Sequence, residues 1–321
     1  MIVLSLFDGM SCGHIALDRV GIKVDKYFAS EIKPHAIKVV QHNYPETIQL
    51  GDVRKVRYEN GILYSENGQW KTEVDMVIGG SPCQDFSQAN KQRDGLLGEK
   101  SGLFYEYNRI LNEVKPRYFL LENVEMEAEP FEQISQEMGT YPIKINSELV
   151  SAQLRERAYW TNIGPEFTNL LGQRHCDIPQ PKNKKIKLND ILENGWSDRQ
   201  KARCLIESNS RPLSTPVKMY HRYDTVGMIT IVFKDKAHYV KCKSHYKTNF
   251  IGLSADEINC DSDIYNGVRH LTQGEMEKCQ TVPEGYTSCV SKNDAASLLG
   301  DGWTVDVIAH IFSFLPEEYK G

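Results

Sequence analysis

The sequence predicts an α/β fold, a mostly parallel sheet covered by helices, together with a smaller, β-containing lobe. Three observations lead there. Over the first half of the chain, short apolar runs alternate with amphipathic stretches, the pattern of strands joined by right-handed helical crossovers. Glycines and acids stand where those runs end, and open α/β sheets bind ligands at the carboxyl ends of their strands. After about Pro165 the periodicity lapses into a stretch of prolines and lysines.

Each element follows in order. Ile2 to Phe7 reads as a buried strand and Ile15 to Val20 as the helix after it. Lys26 to Ser30 is a second strand and Ala36 to Asn43 a second helix. Met76 to Ile78 is a third strand, closed by Gly79-Gly80. Leu103 to Val114 has the apolar spacing of a helix, and Tyr118 to Leu121, after Pro116, is a further buried strand. Ala158-Tyr159-Trp160 is an aromatic strand. Weak periodicity around Pro179, Pro181, Lys182, Lys184 and Lys185 marks a boundary, beyond which Thr225 to Phe233 and Ala237 to Val240 read as strands. Val305 to Phe312 is apolar and helix-like. The expected division is 1–165, 166–268 and a returning segment 269–321.

Composition narrows the class. Forty per cent apolar and a quarter charged residues suit a globular core, and no apolar run reaches membrane-helix length. The apolar start is broken at once by Asp8 and has no basic region before it, so no secretory signal is expected and the compartment is the cytosol. Eight scattered cysteines form no Cys-x-x-Cys pair; they read as reduced thiols, and no metal-ligand spacing accompanies them. The net charge of −5 is unevenly spread. From Arg199 to Lys247 eleven basic residues face three acids, a local +8 that leaves −13 on the rest. A phosphate-binding surface needs such local charge rather than a basic chain, although a solvated basic face has the same composition.

The residues suited to chemistry sit at strand exits. Phe7-Asp8-Gly9-Met10-Ser11-Cys12-Gly13 is a glycine turn after the first strand. It lets a ligand approach backbone at a helix N-terminus, and it lacks the Gly-x-Gly-x-x-Gly spacing of a nicotinamide site. Glu31 and Asp52 follow the next strand positions; a carboxylate there can accept ribose hydroxyls, and singly either also fits a helix or turn cap. The sharpest feature is Gly79-Gly80-Ser81-Pro82-Cys83-Gln84-Asp85-Phe86-Ser87, which holds a cysteine at the mouth of the sheet after a proline-stiffened turn. Thirty-nine residues on stands Leu120-Leu121-Glu122-Asn123-Val124, a carboxylate whose burial is unfavourable unless it is paired and which is a candidate proton donor. Arg155 and Arg157, two apart on extended chain, face one way and could clamp a carboxylate, phosphate or base carbonyl.

In their order these blocks resemble the DNA cytosine-5 methyltransferases. The matching pieces are Phe7-Asp8-Gly9, Glu31, Gly51-Asp52-Val53, Ser81-Pro82-Cys83, Glu122-Asn123-Val124, Gln153 to Arg157, and Gly300 to Trp303 with Val305. Several are especially similar to the catalytic domain of the animal de novo enzymes, among them Val77 to Cys83 and Leu298-Leu299-Gly300. The last block departs from those relatives at Asp301 and Gly302, and Arg269 to Tyr286 matches only loosely.

The resemblance implies a Rossmann-like class I fold that binds S-adenosyl-L-methionine, with a catalytic lobe over 1–165 and a target-recognition lobe over 166–268. It implies Cys83 as nucleophile, Glu122 as proton donor, and Arg155 and Arg157 holding the base and its loop. Phe7, Asp8, Gly9, Glu31, Ile32, Asp52, Val53 and Trp303 would line the cofactor site. Ser81, Pro82, Gln84, Ser87 and Asn123 would surround the base. The partner would be double-stranded DNA, met by a monomer with a flipped-out cytosine, and Arg203, Arg211, Lys218 and Arg222 are the candidate DNA contacts. One branch of the family methylates transfer RNA; its Cys-Phe-Thr signature does not occur here.

Overall fold

The computed structural model describes residues 1–81, 102–206, 215–258 and 262–321, and the chain divides into two compact units. The first comprises Met1–Asn146, Glu156–Pro181 and Val305–Gly321, the second Ser147–Arg155 and Lys182–Thr304.

The chain begins with β1 (Ile2–Leu6), α1 (Cys12–Arg19), β2 (Lys26–Ser30), α2 (Pro34–Asn43) and β3 (Ile48–Gln49). A short antiparallel trio follows, β4 (Arg57–Glu59), β5 (Ile62–Ser65) and β6 (Gly68–Lys71). Next come β7 (Met76–Gly80), α3 (Gly102–Val114), β8 (Tyr118–Asn123), α4 (Ala128–Met138), β9 (Ile143–Asn146) and β10 (Glu156–Thr161). The hairpin of β11 (Glu166–Thr168) and β12 (Arg174–Cys176) ends this stretch. The second unit carries α5 (Leu188–Ile191), α6 (Pro216–Thr225), α7 (Lys236–Asn249), α8 (Gln273–Gln280) and α9 (Lys292–Asp301), and α10 (Val305–Phe312) returns to the first.

Among the described residues the main sheet runs β3-β2-β1-β7-β8-β10-β9. The strands from β3 to β8 pair in parallel, and β10 runs antiparallel to both of its neighbours. Parallel strands covered on both faces need apolar side chains on both. Val3, Leu4 and Leu6, Val77 and Ile78, and Leu120 and Leu121 are accordingly all fully buried. From β1 the chain steps outward to β2 and β3, then returns to the other side of β1 at β7. The order therefore reverses between β1 and β7, which opens a crevice at their carboxyl ends. On one face α1 packs against α10, whose Val305, Val307, Ile308, Ile311 and Phe312 are buried. No helix among the described residues is long and apolar enough to cross a membrane.

The second unit departs from the sequence expectation. Ala237 to Val240 is not a strand but the first turn of α7, capped by Asp235 accepting from the His238 N–H. Thr225 ends α6, and only the far part of Thr225 to Phe233 is extended, with Val232 bridging Arg269 and Phe233 bridging Trp196. Among the described residues the β pairing of this unit consists of such isolated bridges. Its core is aromatic instead, with the Tyr220 ring 5.1 Å from Tyr246 and 5.4 Å from Tyr265. The boundaries shift too. The β11–β12 hairpin stays with the first unit, where Tyr141 bridges His175, so the division falls after Pro181 rather than at 165. Residues 269 to 304 join the second unit, because α8 packs against α9 and α5.

Candidate active site

The turn after β1 is built by backbone that few residues adopt. Phe7, Gly9 and Ser11 all have positive φ, at 56°, 59° and 57°. Such torsions are unfavourable for side chains other than glycine and gather where a loop is held by its neighbours. Here the Asp8 N–H donates to the Ser30 carbonyl at 3.1 Å, and the Gly9 N–H donates to Glu31 Oε2 at 2.8 Å. Glu31 Oε1 accepts from the N–H groups of Ile32 and Lys33 at 2.7 and 2.9 Å. The acid after β2 thus holds the turn after β1. The Asp8 carboxylate accepts from Tyr27 at 3.0 Å and from the Ser11 hydroxyl. Burial pushes its carboxyl up to about 6, against hydrogen bonds from Ser11, Ser5 and Tyr27.

Beside this turn Ile32 is 65 % exposed, an apolar side chain at a strand exit. Asp52 caps a short 3₁₀ turn through the Arg54 N–H and takes the Arg54 guanidinium at 2.6 Å. That guanidinium holds its carboxyl below the usual carboxylate range. The Asp52 N–H in turn donates to Glu66 Oε1 at 2.9 Å. Glu66 lies between β5 and β6, fourteen residues from Asp52, so no local pattern announces this support. Val53 is buried beneath.

At the exits of β7 and β8 lies the second half of the site. Gly79 is required by space: a Cβ there would stand 2.8 Å from the Leu6 carbonyl oxygen and 3.0 Å from the Tyr107 ring. Ser81 and Asn123 are both buried, and the Asn123 amide donates to Ser81 Oγ at 3.2 Å. This bond ties the ends of two neighbouring strands just before Pro82-Cys83. Glu122 is buried, and Arg157 Nε lies 3.0 Å from its Oε1. The pair is set by antiparallel pairing of β8 and β10, in which Tyr159 stands opposite Glu122. Pro82, Cys83, Gln84 and Ser87 lie outside the described residues, as does Arg211.

Among the described residues the two arginines engage different groups. Arg155 is buried in the second unit, where its guanidinium donates to the carbonyls of Leu205 at 3.0 Å, Gly300 at 3.2 Å and Gly302 at 2.9 Å. Arg155 therefore fastens the end of α9, including one of the two positions that depart from the animal relatives. Gln153 Nε2 donates to the Cys279 carbonyl at 2.8 Å and to Gln280 Oε1 at 2.7 Å, and Gln280 donates to Gly302 O at 3.1 Å. Trp303 follows, half-buried. Among the candidate DNA contacts, Arg203 donates through Nε to the Gly227 carbonyl at 3.1 Å. Lys218 and Arg222 are half-buried on α6.

Known proteins resemble this chain in sequence and in fold. Residues 1–316 match the family model described as C-5 cytosine-specific DNA methylase. Over 124 residues, 38 % of the chain, the sequence is 37 % identical to the orphan methyltransferase M.Rho11sI of Bacillus phage rho11s, and the match spans only 22 % of that relative's length. Over 319 residues, 95 % of the chain, it is 26 % identical to the type II methyltransferase M1.ScrFI of Lactococcus lactis subsp. cremoris and spans 75 % of it. In fold it resembles a crystal structure of Spodoptera frugiperda DNMT2, with a TM-score of 0.64 at 20 % identity, over 98 % of this chain and 99 % of that one. The fold is that of the class I methyltransferases, and the family takes its methyl group from S-adenosyl-L-methionine. The chain belongs to the C-5 cytosine-specific DNA methylase family.

Proposed function

We propose that this protein is a cytoplasmic, monomeric DNA (cytosine-5)-methyltransferase, acting on a cytosine flipped out of double-stranded DNA, with the first unit catalytic and the second unit reading the target. The observation that carries this reading is the Glu122–Arg157 pair at the exit of β8, next to the Asn123–Ser81 bond that leads into Pro82-Cys83.

The crevice fits S-adenosyl-L-methionine through this chain's own groups. Glu31, already turned toward Gly9, offers carboxylate oxygen to a ribose. Ile32 offers an exposed apolar face to a purine. The first turn of α1 starts at the carboxyl end of β1 with no side-chain cap from Ser11, which suits a carboxylate. Phe7, Asp8, Gly9, Asp52, Val53 and Trp303 complete the proposed set. When bound, the cofactor supplies an electrophilic methyl group.

Carbon 5 of cytosine is a poor nucleophile. The Cys83 thiolate adds to carbon 6 and forms a carbon–sulfur bond, and the electron pair moves to carbon 5. The protonated Glu122 carboxyl donates its proton to ring nitrogen 3 and so neutralises the negative charge that addition would place on the base, itself becoming a carboxylate facing Arg157. Arg157 holds the Glu122 carboxyl in register with the base. Once carbon 5 carries the methyl group, loss of its proton to a base expels the thiolate and restores the ring. Arg155 acts through the fold of the second unit, and Pro82, Gln84, Ser87 and Asn123 shape the loop around the base.

The test is incorporation of labelled methyl from S-adenosyl-L-methionine into mixed-sequence duplex DNA and into bulk transfer RNA by the full chain and by Cys83→Ser. Label should enter DNA as 5-methylcytosine, and Cys83→Ser should lose it. Activity of Cys83→Ser within about tenfold of the parent, less than ~1.4 kcal/mol of barrier, would remove Cys83 from the role. Label in transfer RNA alone would replace DNA as the substrate.

A further inference from the structure

The basic excess of residues 199–247 can be sorted by what each cation does. Lys201 Nζ donates to the carbonyls of Glu148 and Ser151 at 2.6 and 2.7 Å. Arg199 Nη2 donates to the Gly227 carbonyl at 3.0 Å, and its guanidinium lies 4.8 Å from the Tyr223 ring. Arg203 donates to the same carbonyl. Lys243 Nζ donates to the Tyr239 hydroxyl at 2.9 Å. The first three tie separate segments of the second unit to one another, and Lys243 is engaged along α7. Lys218 and Arg222 are half-buried on α6. The exposed lysines of the described segment, Lys234, Lys236, Lys241 and Lys247, all lie on α7 or just before its cap.

Their positions on the helix have a pattern. At about 100° per residue, Lys236 and Lys247 fall on one flank of the exposed face and Lys241 on the other. Val240, which is 56 % exposed, and exposed Ser244 lie between them. The opposite face is fixed. Cys242 and Tyr246 are buried, His238 Nε2 lies 2.7 Å from the Ile264 carbonyl, and His245 Nδ1 lies 3.3 Å from the Tyr265 hydroxyl. The one acid at the start of the helix, Asp235, is engaged as its cap. Of the acids that follow, Glu257 accepts from Ser254 and Asp263 from Asn266.

A helix with cations on both flanks and short side chains between them matches a DNA major groove, which is about 12 Å wide and walled by phosphates on both sides. Lysine is a point charge suited to phosphate, whereas base edges are read by what lies on the floor of the groove. We propose that α7 is the DNA-binding helix of this protein, with Lys236, Lys241 and Lys247 on phosphates of the two groove walls and Val240 and Ser244 toward the base edges. This inference rests on the DNA methyltransferase reading and assigns that reading's DNA surface.

The test uses the full chain. Binding of a duplex carrying the mapped methylation site, and of one lacking it, is measured over a series of salt concentrations for the parent and for the triple variant Lys236→Ala, Lys241→Ala, Lys247→Ala. The variant should bind both duplexes more weakly by a similar factor. Its log K against log salt slope should be shallower by about 2–3, as three lost phosphate contacts require. Lys71→Ala, an exposed lysine of the first unit, should leave the slope unchanged. Affinity for S-adenosylhomocysteine checks the fold, and a Lys→Gln triple variant replaces the alanine set should that set melt early. A slope equal to the parent's would overturn the proposal. Val240→Ala and Ser244→Ala should broaden the sequence flanking methylated cytosines, and an unaltered map in both would remove α7 from base reading. Failure of the methyltransferase reading itself shows separately, in a parent protein that methylates no DNA.

Discussion

At Asp8, burial opposes three hydrogen bonds that favour the charged carboxylate, and burial wins. The folded carboxyl titrates near 6 rather than the ordinary 3.8, so ionisation is penalised in the fold relative to the open chain. The penalty is fully present above about pH 6 and is relieved as pH falls toward 3.8. The gap corresponds to roughly 3 kcal/mol. Asp8→Asn should therefore be more stable than the parent at pH 7.5, by at most that amount, because the amide accepts less well from Tyr27 and Ser11. The advantage should shrink by pH 4.5. Chemical denaturation at the two pH values checks this, and a stability difference independent of pH would contradict it. Glu122 pairs with Arg157 at the exit of β8. Glu122→Gln keeps the shape and loses the proton. Turnover should fall roughly 100-fold or more while DNA affinity changes little, and an unchanged turnover number would exclude the acid role.

At the scale of elements, Gly79 lets β7 pass close to β1 and α3. Gly79→Ala places a methyl against the Leu6 carbonyl and the Tyr107 ring, neither of which is a flexible side-chain end. It should destabilise by about 1–3 kcal/mol, read as a lower urea midpoint; an unmoved midpoint would show that β7 can shift freely. The same strands explain what was legible in the sequence. β1, β2, β7, β8 and β10 were readable because strands buried on both faces are continuous apolar runs, and α10 because its apolar residues fill a helix-length segment. The trio β4–β6 was missed although it carries a signal. Asn60-Gly61 joins β4 to β5 with φ of 53° and 76°, the torsions of a hairpin turn that favours these two residues. α7 was misread because its inward residues, Tyr239, Cys242 and Tyr246, are too few among lysines to stand out. At the site, the strand-exit acids were visible one by one. Their partners Tyr27 and Glu66 were not, since those contacts depend on strands or turns brought together by the fold, whereas Arg54 stands only two residues from Asp52.

Over the whole molecule, specificity should travel with the second unit. The resemblance blocks thin out between about 165 and 265, and most of the basic excess falls within Lys182–Thr304. Replacing the corresponding interval of a related methyltransferase of different specificity with Lys182–Thr304 should transfer this protein's recognition site. Mapping methylated cytosines in host DNA decides it: an active chimera that keeps the recipient's site would place readout elsewhere.

The pairing of α1 with α10 also bears on the order of synthesis. α1 leaves the ribosome well before α10, the helix it packs against, which is encoded after residue 304. Between them the chain leaves the first unit at Asn146, returns at Glu156, leaves again after Pro181 and comes back only at Val305. Tyr319 and Gly321 then bond to Lys23 and Gly21 beside α1. The first unit is therefore begun before most of the second is made and closed only after it. Until then α1, whose Cys12 to Leu17 are all buried in the finished protein, lacks the helix it packs against, and the nascent chain carries that apolar surface unpartnered through the making of Lys182–Thr304.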